Sequence, residues 1–226
     1  MKKKSMIFYR SILLVISFLL FTFSGCRIDK IITYTPVNNT SGEIYSTFSA
    51  TEIPPFSFEY PNNYVITSYQ SMPRFPSTSV LLRTIESLPV TTITDEAPKD
   101  FIFNGIDVYI AYFNEYVPTA ETAIDNIAVK YEQYEEAGHV KDFKIIYKRQ
   151  VVVGGFKGWE IKYSFIKYEI TLIGIDYSHP TPLVVRQVYF DYQDMSFNLI
   201  LTSDASIIDK TEKGYEHILQ TFKLLE

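Results

Sequence analysis

Between residues 143 and 201 the chain holds stretches that alternate apolar and polar side chains with a period of two, separated by turn residues. Ile161, Tyr163 and Phe165 interleave with Glu160, Lys162 and Ser164; Val188 and Phe190 interleave with Gln187, Tyr189 and Asp191. A period of two sends alternate side chains to opposite faces of a strand. Gly154-Gly155, the cluster Ser178-His179-Pro180-Thr181-Pro182 and Gln193-Asp194 mark the turns. The strands expected are Phe143–Val153, Gly158 through Phe165, Glu169–Tyr177, Leu183–Tyr192 and a run through Phe197, Leu199 and Leu201, a meander of antiparallel neighbours. The chain is 16% aromatic, with 18 Tyr and 17 Phe, and such rings suit a pleated, half-buried surface. Counting back by two from Ile161 puts Trp159 on the same apolar face, which predicts a buried structural anchor and not a ligand contact; an exposed stacking residue for a glycan or partner is the alternative.

Two segments follow the helical period instead. Ala120, Ala123, Ile124, Ile127, Ala128, Tyr131 and Tyr134 recur at three and four and form one stripe. Pro118-Thr119 supplies the start and Gly138 the stop. A second helix is expected from about Ile207 to Phe222, burying Ile208, Tyr215, Ile218, Leu219 and Phe222. Upstream, Phe56-Ser-Phe-Glu-Tyr60 alternates before Pro61-Asn62-Asn63 turns the chain into Tyr64-Val65-Ile66, a strand and hairpin signal. Residues 67–77 read as a loop, Ser79–Glu86 as β-rich, Pro89–Pro98 as a variable connection and Phe101–Asn114 as a further strand. Strands in runs with two amphipathic helices predict an α+β fold, an antiparallel β-sheet covered by helices.

Several stretches carry a family resemblance. Phe56-x-Phe-x-Tyr-Pro61, Gly154-Gly155 through Gly158-Trp159-x-x-x-Tyr163, Arg186-Gln-Val-Tyr-Phe190 into Phe197-x-Leu199, and Tyr215-x-x-Ile218-x-x-x-Phe222-Lys223 are similar to the PsbP-like (Mog-type) family. The resemblance covers residues 56–226 and implies an α/β/α sandwich. It implies little chemistry, since relatives are mostly non-catalytic. Residues 168–183 run longer than the family's usual hairpin.

The N-terminus bears on location. Lys2, Lys3, Lys4 and Arg10 precede an uncharged run from Ser11 to Phe23, followed by Ser24, Gly25 and Cys26. A basic segment, a short apolar core and small residues before a cut site describe a secretory signal. As a helix the run spans about 20 Å, at roughly 1.5 Å per residue, against a bilayer core of about 30 Å. Cys26, the only cysteine, follows directly. Ser24-Gly25-Cys26 resembles the lipobox of bacterial lipoproteins, in which the cysteine is lipidated and becomes the new N-terminus. The other reading is ordinary cleavage near Gly25 with an incidental thiol. The division expected is a lipoprotein signal peptide at 1–25, lipidated Cys26 and a flexible tether at 26–55, and one globular domain at 56–226. A first edge strand at Glu43–Ala50 is the alternative to a continuous tether. The location expected is the extracytoplasmic face of a bacterial membrane, held by acyl chains on Cys26.

Cleavage takes four of the 21 Lys and Arg, leaving 17 against 26 Asp and Glu, a net charge of −9. Acidity of this kind gives no electrostatic reason to expect nucleic acid or attraction to an anionic bilayer. A single cysteine excludes an intramolecular disulfide framework and multi-cysteine metal sites. His139, His179 and His217 are too far apart in sequence for a helical ligand pair, and no H-E-x-x-H, G-x-S-x-G, P-loop or Rossmann fingerprint is present. No cofactor and no metal are expected. Asp176, Asp191 and Asp194 cluster around the last turns, where Asp serves turns and edges. Tyr177 and Tyr189, with Asp191, form the expected binding face, since exposed rings suit glycans or a protein partner. The function expected is a non-enzymatic, membrane-anchored accessory or binding role toward a membrane protein complex or a cell-wall glycan. A surface hydrolase or carbohydrate-active enzyme using acidic residues such as Asp191 is the alternative.

Overall fold

The computed structural model describes residues 32–34, 44–51, 54–72, 77–84, 104–112, 118–167, 170–172, 175–177 and 180–225. In chain order the elements are β1 (Ile32–Tyr34), β2 (Tyr45–Ala50), β3 (Phe56–Pro61), β4 (Tyr64–Met72), β5 (Ser77–Thr84) and β6 (Asn104–Tyr112). Then come α1 (Ala120–Glu136), β7 (Val140–Val153), β8 (Phe156–Lys167), β9 (Ile170–Leu172), β10 (Ile175–Tyr177), β11 (Thr181–Tyr192), β12 (Met195–Asp204), α2 (Ile208–Thr221) and β13 (Lys223–Leu224). The fold is α+β, as the sequence pattern predicts.

The main sheet runs β1-β7-β8-β11-β12-β6-β5-β4. Its pairs are antiparallel except β1, which lies parallel to β7 with Ile32 opposite Val151 and Tyr34 opposite Val153. β13-β3-β2 form a small second sheet. One face of the main sheet takes α1: Ile124 and Ile127 pack with Ile161, Tyr163, Phe165, Leu183 and Val185. The other face takes α2 and the small sheet, where Tyr215, Leu219, Phe222, Phe56 and Phe58 pack with Val188, Phe190, Phe197 and Leu199. The central strands β8 and β11 are therefore buried on both faces. Among the described residues no helix is long and apolar enough to cross a membrane.

α1 ends where expected, at Gly138, whose φ of 76° lies in the left-handed region that favours glycine. Gly154 and Gly155, at φ 58° and 89°, turn β7 into β8.

Four expectations are corrected. The continuous tether expected at 26–55 gives way to its alternative, an edge strand close to Glu43–Ala50, and to a further short strand before it. β1 joins the main sheet, β2 pairs with β3 over Tyr45–Ala50, and Tyr34 and Ala50 are buried in the core. The cause is apolar content in a polar-looking stretch, since Ile32, Tyr34, Phe48 and Ala50 all pack against one cluster. The turn at Asn62-Asn63 joins two sheets rather than closing a hairpin: β3 lies beside α2, with the Glu59 N–H donating to Thr221 Oγ1 at 2.9 Å, while β4 pairs with β5. β4 extends to Met72 through the stretch read as a loop. The single strand expected at Glu169–Tyr177 is instead two short ones, with Tyr177 opposite Ile170 and Ile175 opposite Leu172. The signal, Cys26 and Pro89–Pro98 lie outside the described residues.

Candidate functional site

Of the expected binding face, the structure describes the side chains of Tyr189 and Asp191. Tyr177 ends β10, in a sheet separate from that of Tyr189 and Asp191. Tyr189 lies on the face of β11 that α1 partly covers. It is half-buried, packed with the apolar cluster under α1, and its hydroxyl donates to Gln187 Oε1 at 3.3 Å. Burial pushes its phenol up to about 12. The physical reason is that β11 lies in the middle of the sheet, so its nominally polar face is covered by α1.

Asp191 has a structural partner. Both of its carboxylate oxygens accept from the Ala120 N–H, at 3.0 and 3.1 Å, at the first residue of α1. The Thr119 side chain makes no capping bond to the backbone and instead donates to Thr122 Oγ1 at 3.1 Å. Asp191 thus caps the helix from another strand, satisfying one of the open donors at its N-terminus. Burial raises the Asp191 pKa, and the Ala120 bond offsets part of that rise.

Beside this cap lies a cleft of about 290 Å³, lined by Ala120, Glu121, Gln150, Val151, Lys157, Gly158, Trp159 and Asp191. Trp159 sits on the α1 face of β8, in register between Gln150 and Tyr189. It is half-buried: one part packs with the cluster under α1 and another lines the cleft. The expected face is correct, but the expected full burial is not, because α1 begins beside Trp159 rather than over it. Lys148 Nζ lies 4.9 Å from the ring centroid and is itself ion-paired with Asp125 on α1. Gly158 lets β11 come close, since a Cβ there would stand 2.2 Å from the Tyr189 carbonyl oxygen.

The opposite face of β8 holds a feature that the pattern hid. Glu160, which the period-two pattern puts on a polar face, is fully buried. Arg186 Nε donates to Glu160 Oε1 at 2.7 Å and Arg149 Nε to Oε2 at 2.6 Å. The Tyr34 hydroxyl donates to the same carboxylate, at 3.1 and 3.2 Å. That hydroxyl in turn accepts from Arg186 Nη2 at 2.7 Å and Arg149 Nη2 at 3.2 Å. Arg186 Nη1 donates to Glu216 Oε1 on α2 at 3.0 Å, and Lys162 pairs with Glu212 at 2.6 Å. Three cations thus meet three anions. Burial pushes the Tyr34 phenol up to about 12, with the Glu160 charge adding to it. Burial alone would lower the Arg186 pKa, but the Glu160 carboxylate and the Tyr34, Tyr147 and Tyr215 phenols together more than reverse that.

Every nitrogen of the Arg186 guanidinium and both oxygens of Glu160 are occupied from within the chain. The network ties β1, β7, β8, β11 and α2 together, which suits a structural role. One sequence signal pointed to it: Arg186 falls on the apolar face of its strand, between Val184 and Val188.

His217 stacks on Tyr45, with centroids 3.6 Å apart, and its Nε2 lies 3.0 Å from Glu59 Oε2. His139 follows Gly138 and meets Tyr134 edge-on. His179 lies outside the described residues. Among the described residues no group of three His, Cys, Asp or Glu could hold a metal ion.

No family model and no curated protein matches the chain. Solved structures similar to it include cyanobacterial PsbP (CyanoP) from Synechocystis, at 12% identity and a TM-score of 0.47, covering 84% of this chain and 98% of that one. The Ran-binding protein Mog1p of Saccharomyces cerevisiae is 9% identical at a TM-score of 0.43, with 81% and 97% covered. LpqN of Mycobacterium tuberculosis, involved in cell envelope biogenesis, is 12% identical at a TM-score of 0.31, with 85% and 90% covered. At identities and TM-scores this low the likenesses say nothing of family, ligand or partner.

Proposed function

We propose that the chain is an extracytoplasmic lipoprotein, anchored in a bacterial membrane through acyl chains on Cys26, whose domain has a non-catalytic accessory or binding role. The observation that carries the binding role is the Trp159 cleft. It combines an indole ring with amide, ammonium and carboxylate groups, while its half-buried carboxylate, Asp191, is engaged in capping α1. A cleft that mixes an apolar ring with a few fixed polar groups is how small-ligand sites are usually built. Cys26 directly after a signal-like segment supports the anchor, because two or three acyl chains hold a protein stably on a bilayer. Partners are a membrane protein complex or a cell-wall glycan, with no role for nucleic acid.

The test is intact mass spectrometry with membrane fractionation. The membrane-extracted chain should begin at Cys26 with an acyl mass added, and Cys26→Ser should move it to the soluble fraction. A soluble wild-type product beginning elsewhere overturns the anchor.

One observation favours the hydrolase reading: Asp191, with its raised pKa, shares the cleft with Glu121. Desolvated carboxylates in clefts are a mark of acid–base sites. Release of reducing ends from cell-wall glycan, lost in Glu121→Gln and in Asp191→Asn, would establish that reading instead.

A further inference from the structure

We propose that the Trp159 cleft binds a neutral pyranose ring, such as the end of a glycan chain. This deepens the binding role above and rests on it. The lining is mixed in character: the Trp159 ring and Ala120 are apolar, Gln150, Lys157, Glu121 and Asp191 are polar, and Val151, whose side chain is buried in the core on the other face, and Gly158 complete the wall. A sugar ring has the same division, with a C–H face that packs on an indole and a rim of hydroxyls that both donate and accept. Gln150 offers an amide donor and acceptor in register beside the ring, Lys157 only donates, and the carboxylates only accept.

Charge argues against an ionic ligand. Two carboxylates face one ammonium across the lining, and the Ala120 N–H already engages Asp191. The lining therefore carries a net charge of −1, which disfavours an anion, while the Lys157 ammonium disfavours a cation, so neither is selected strongly. Its size, about 290 Å³, is near the lower end of the roughly 300–1,000 Å³ of small-molecule sites, which suits one ring or the last unit of a chain. The ring is positioned before any ligand arrives: Lys148 lies over it, paired with Asp125 on α1. A pre-set aromatic surface loses little freedom on binding.

Trp159 is the chain's only tryptophan, so its emission reports on this cleft alone. The mature chain, extracted in a detergent without a sugar headgroup, is titrated with glucose, galactose, mannose, N-acetylglucosamine and their common disaccharides. Tetramethylammonium serves as a cationic control. At least one pyranose should change the emission saturably, with an affinity insensitive to salt. Calorimetry with that sugar should show Gln150→Ala, which leaves the core intact, weakened roughly tenfold or more. Trp159→Phe should retain weak binding and Trp159→Ala none. If no pyranose titrates, if only tetramethylammonium does, or if Gln150→Ala binds as well as wild type, the proposal is wrong. Its failure is separate from that of the parent reading: an unlipidated chain removes the anchor, and hydrolysis of a bound sugar removes the non-catalytic role while leaving the sugar site standing.

Discussion

Glu160 on β8 and Arg186 on β11 form an ion pair with Oε1 and Nε 2.7 Å apart, and their side chains are 0% and 2% exposed. Taking each charge out of water costs several kcal/mol. The cost is offset because neither group stands alone. Arg149 and Tyr34 satisfy the rest of the Glu160 carboxylate, and Glu216 on α2 takes a further Arg186 nitrogen.

Breaking this pair from one side should therefore be worse than removing both halves. Arg186→Leu leaves a buried carboxylate short of a partner and should lose about 3–5 kcal/mol in urea unfolding, as should Glu160→Leu. The double variant should lose clearly less than the sum, a coupling of about 1–3 kcal/mol. Strict additivity would show that the two charges do not depend on each other.

Tyr34 is where this network reaches β1, a strand with only three residues in register on β7. So short a strand has little ladder of its own, and the Tyr34 hydroxyl is what ties it to Glu160, Arg149 and Arg186. Tyr34→Phe should cost about 1–3 kcal/mol. Hydrogen exchange at Ile32–Tyr34 should speed up while the amides of β8 and β11 stay protected. Unchanged exchange at β1 would mean that ring packing alone holds the strand.

The same phenol predicts an alkaline limit. Tyr34 and Tyr189 titrate near 10 when unfolded but are pushed up to about 12 in the fold. A group whose folded pKa is raised contributes stability that is complete below pH 10 and is lost as pH climbs toward 12. Two pH units on one buried phenol amount to about 3 kcal/mol. Urea midpoints should hold to about pH 10 and fall beyond it, and Tyr34→Phe should flatten the fall. A wild-type curve level to pH 12 would contradict the buried phenols.

Periodicity carried the sequence reading wherever one face of an element was wet or both faces were plainly apolar. α1 and α2 and the β7–β8 and β11–β12 turns stand close to where the pattern puts them. It failed where sheet order decides burial. Period two assigns Glu160 and Tyr189 to polar faces, but it does not say that β8 and β11 lie at the centre of an eight-stranded sheet with layers on both sides. Tyr34 was hidden for another reason. Three residues are too few for a pattern, and only long-range pairing with β7, across more than a hundred residues, makes Ile32–Tyr34 a strand. The Trp159 cleft depends on where α1 begins relative to β8, which local sequence does not encode. The role of Asp191 as a cap is equally invisible in local sequence, because its partner, the Ala120 N–H, lies 71 positions away.

Asp191 separates a cap from a catalyst. As a cap it needs only an oxygen for the Ala120 N–H. Asp191→Asn keeps that oxygen and drops a charge whose burial raises the carboxyl's pKa, so its stability at neutral pH should stay within about 1 kcal/mol of wild type. Asp191→Ala removes the acceptor and should cost about 1–2 kcal/mol, with loss of helical signal from α1. The sign of the pH response adds a second check. A carboxyl with a raised folded pKa contributes stability below its ordinary value of 3.8, and that contribution is lost as pH rises through the folded value. Wild type should therefore lose a little stability across that window relative to Asp191→Asn. The helix N-terminus works against this by favouring the anion, but burial is the larger effect at this site. An Asp191→Asn variant that is as stable as wild type and still binds its ligand makes Asp191 a structural cap beside a binding cleft. One that is stable but has lost a hydrolytic activity present in wild type would place the carboxylate in the chemistry.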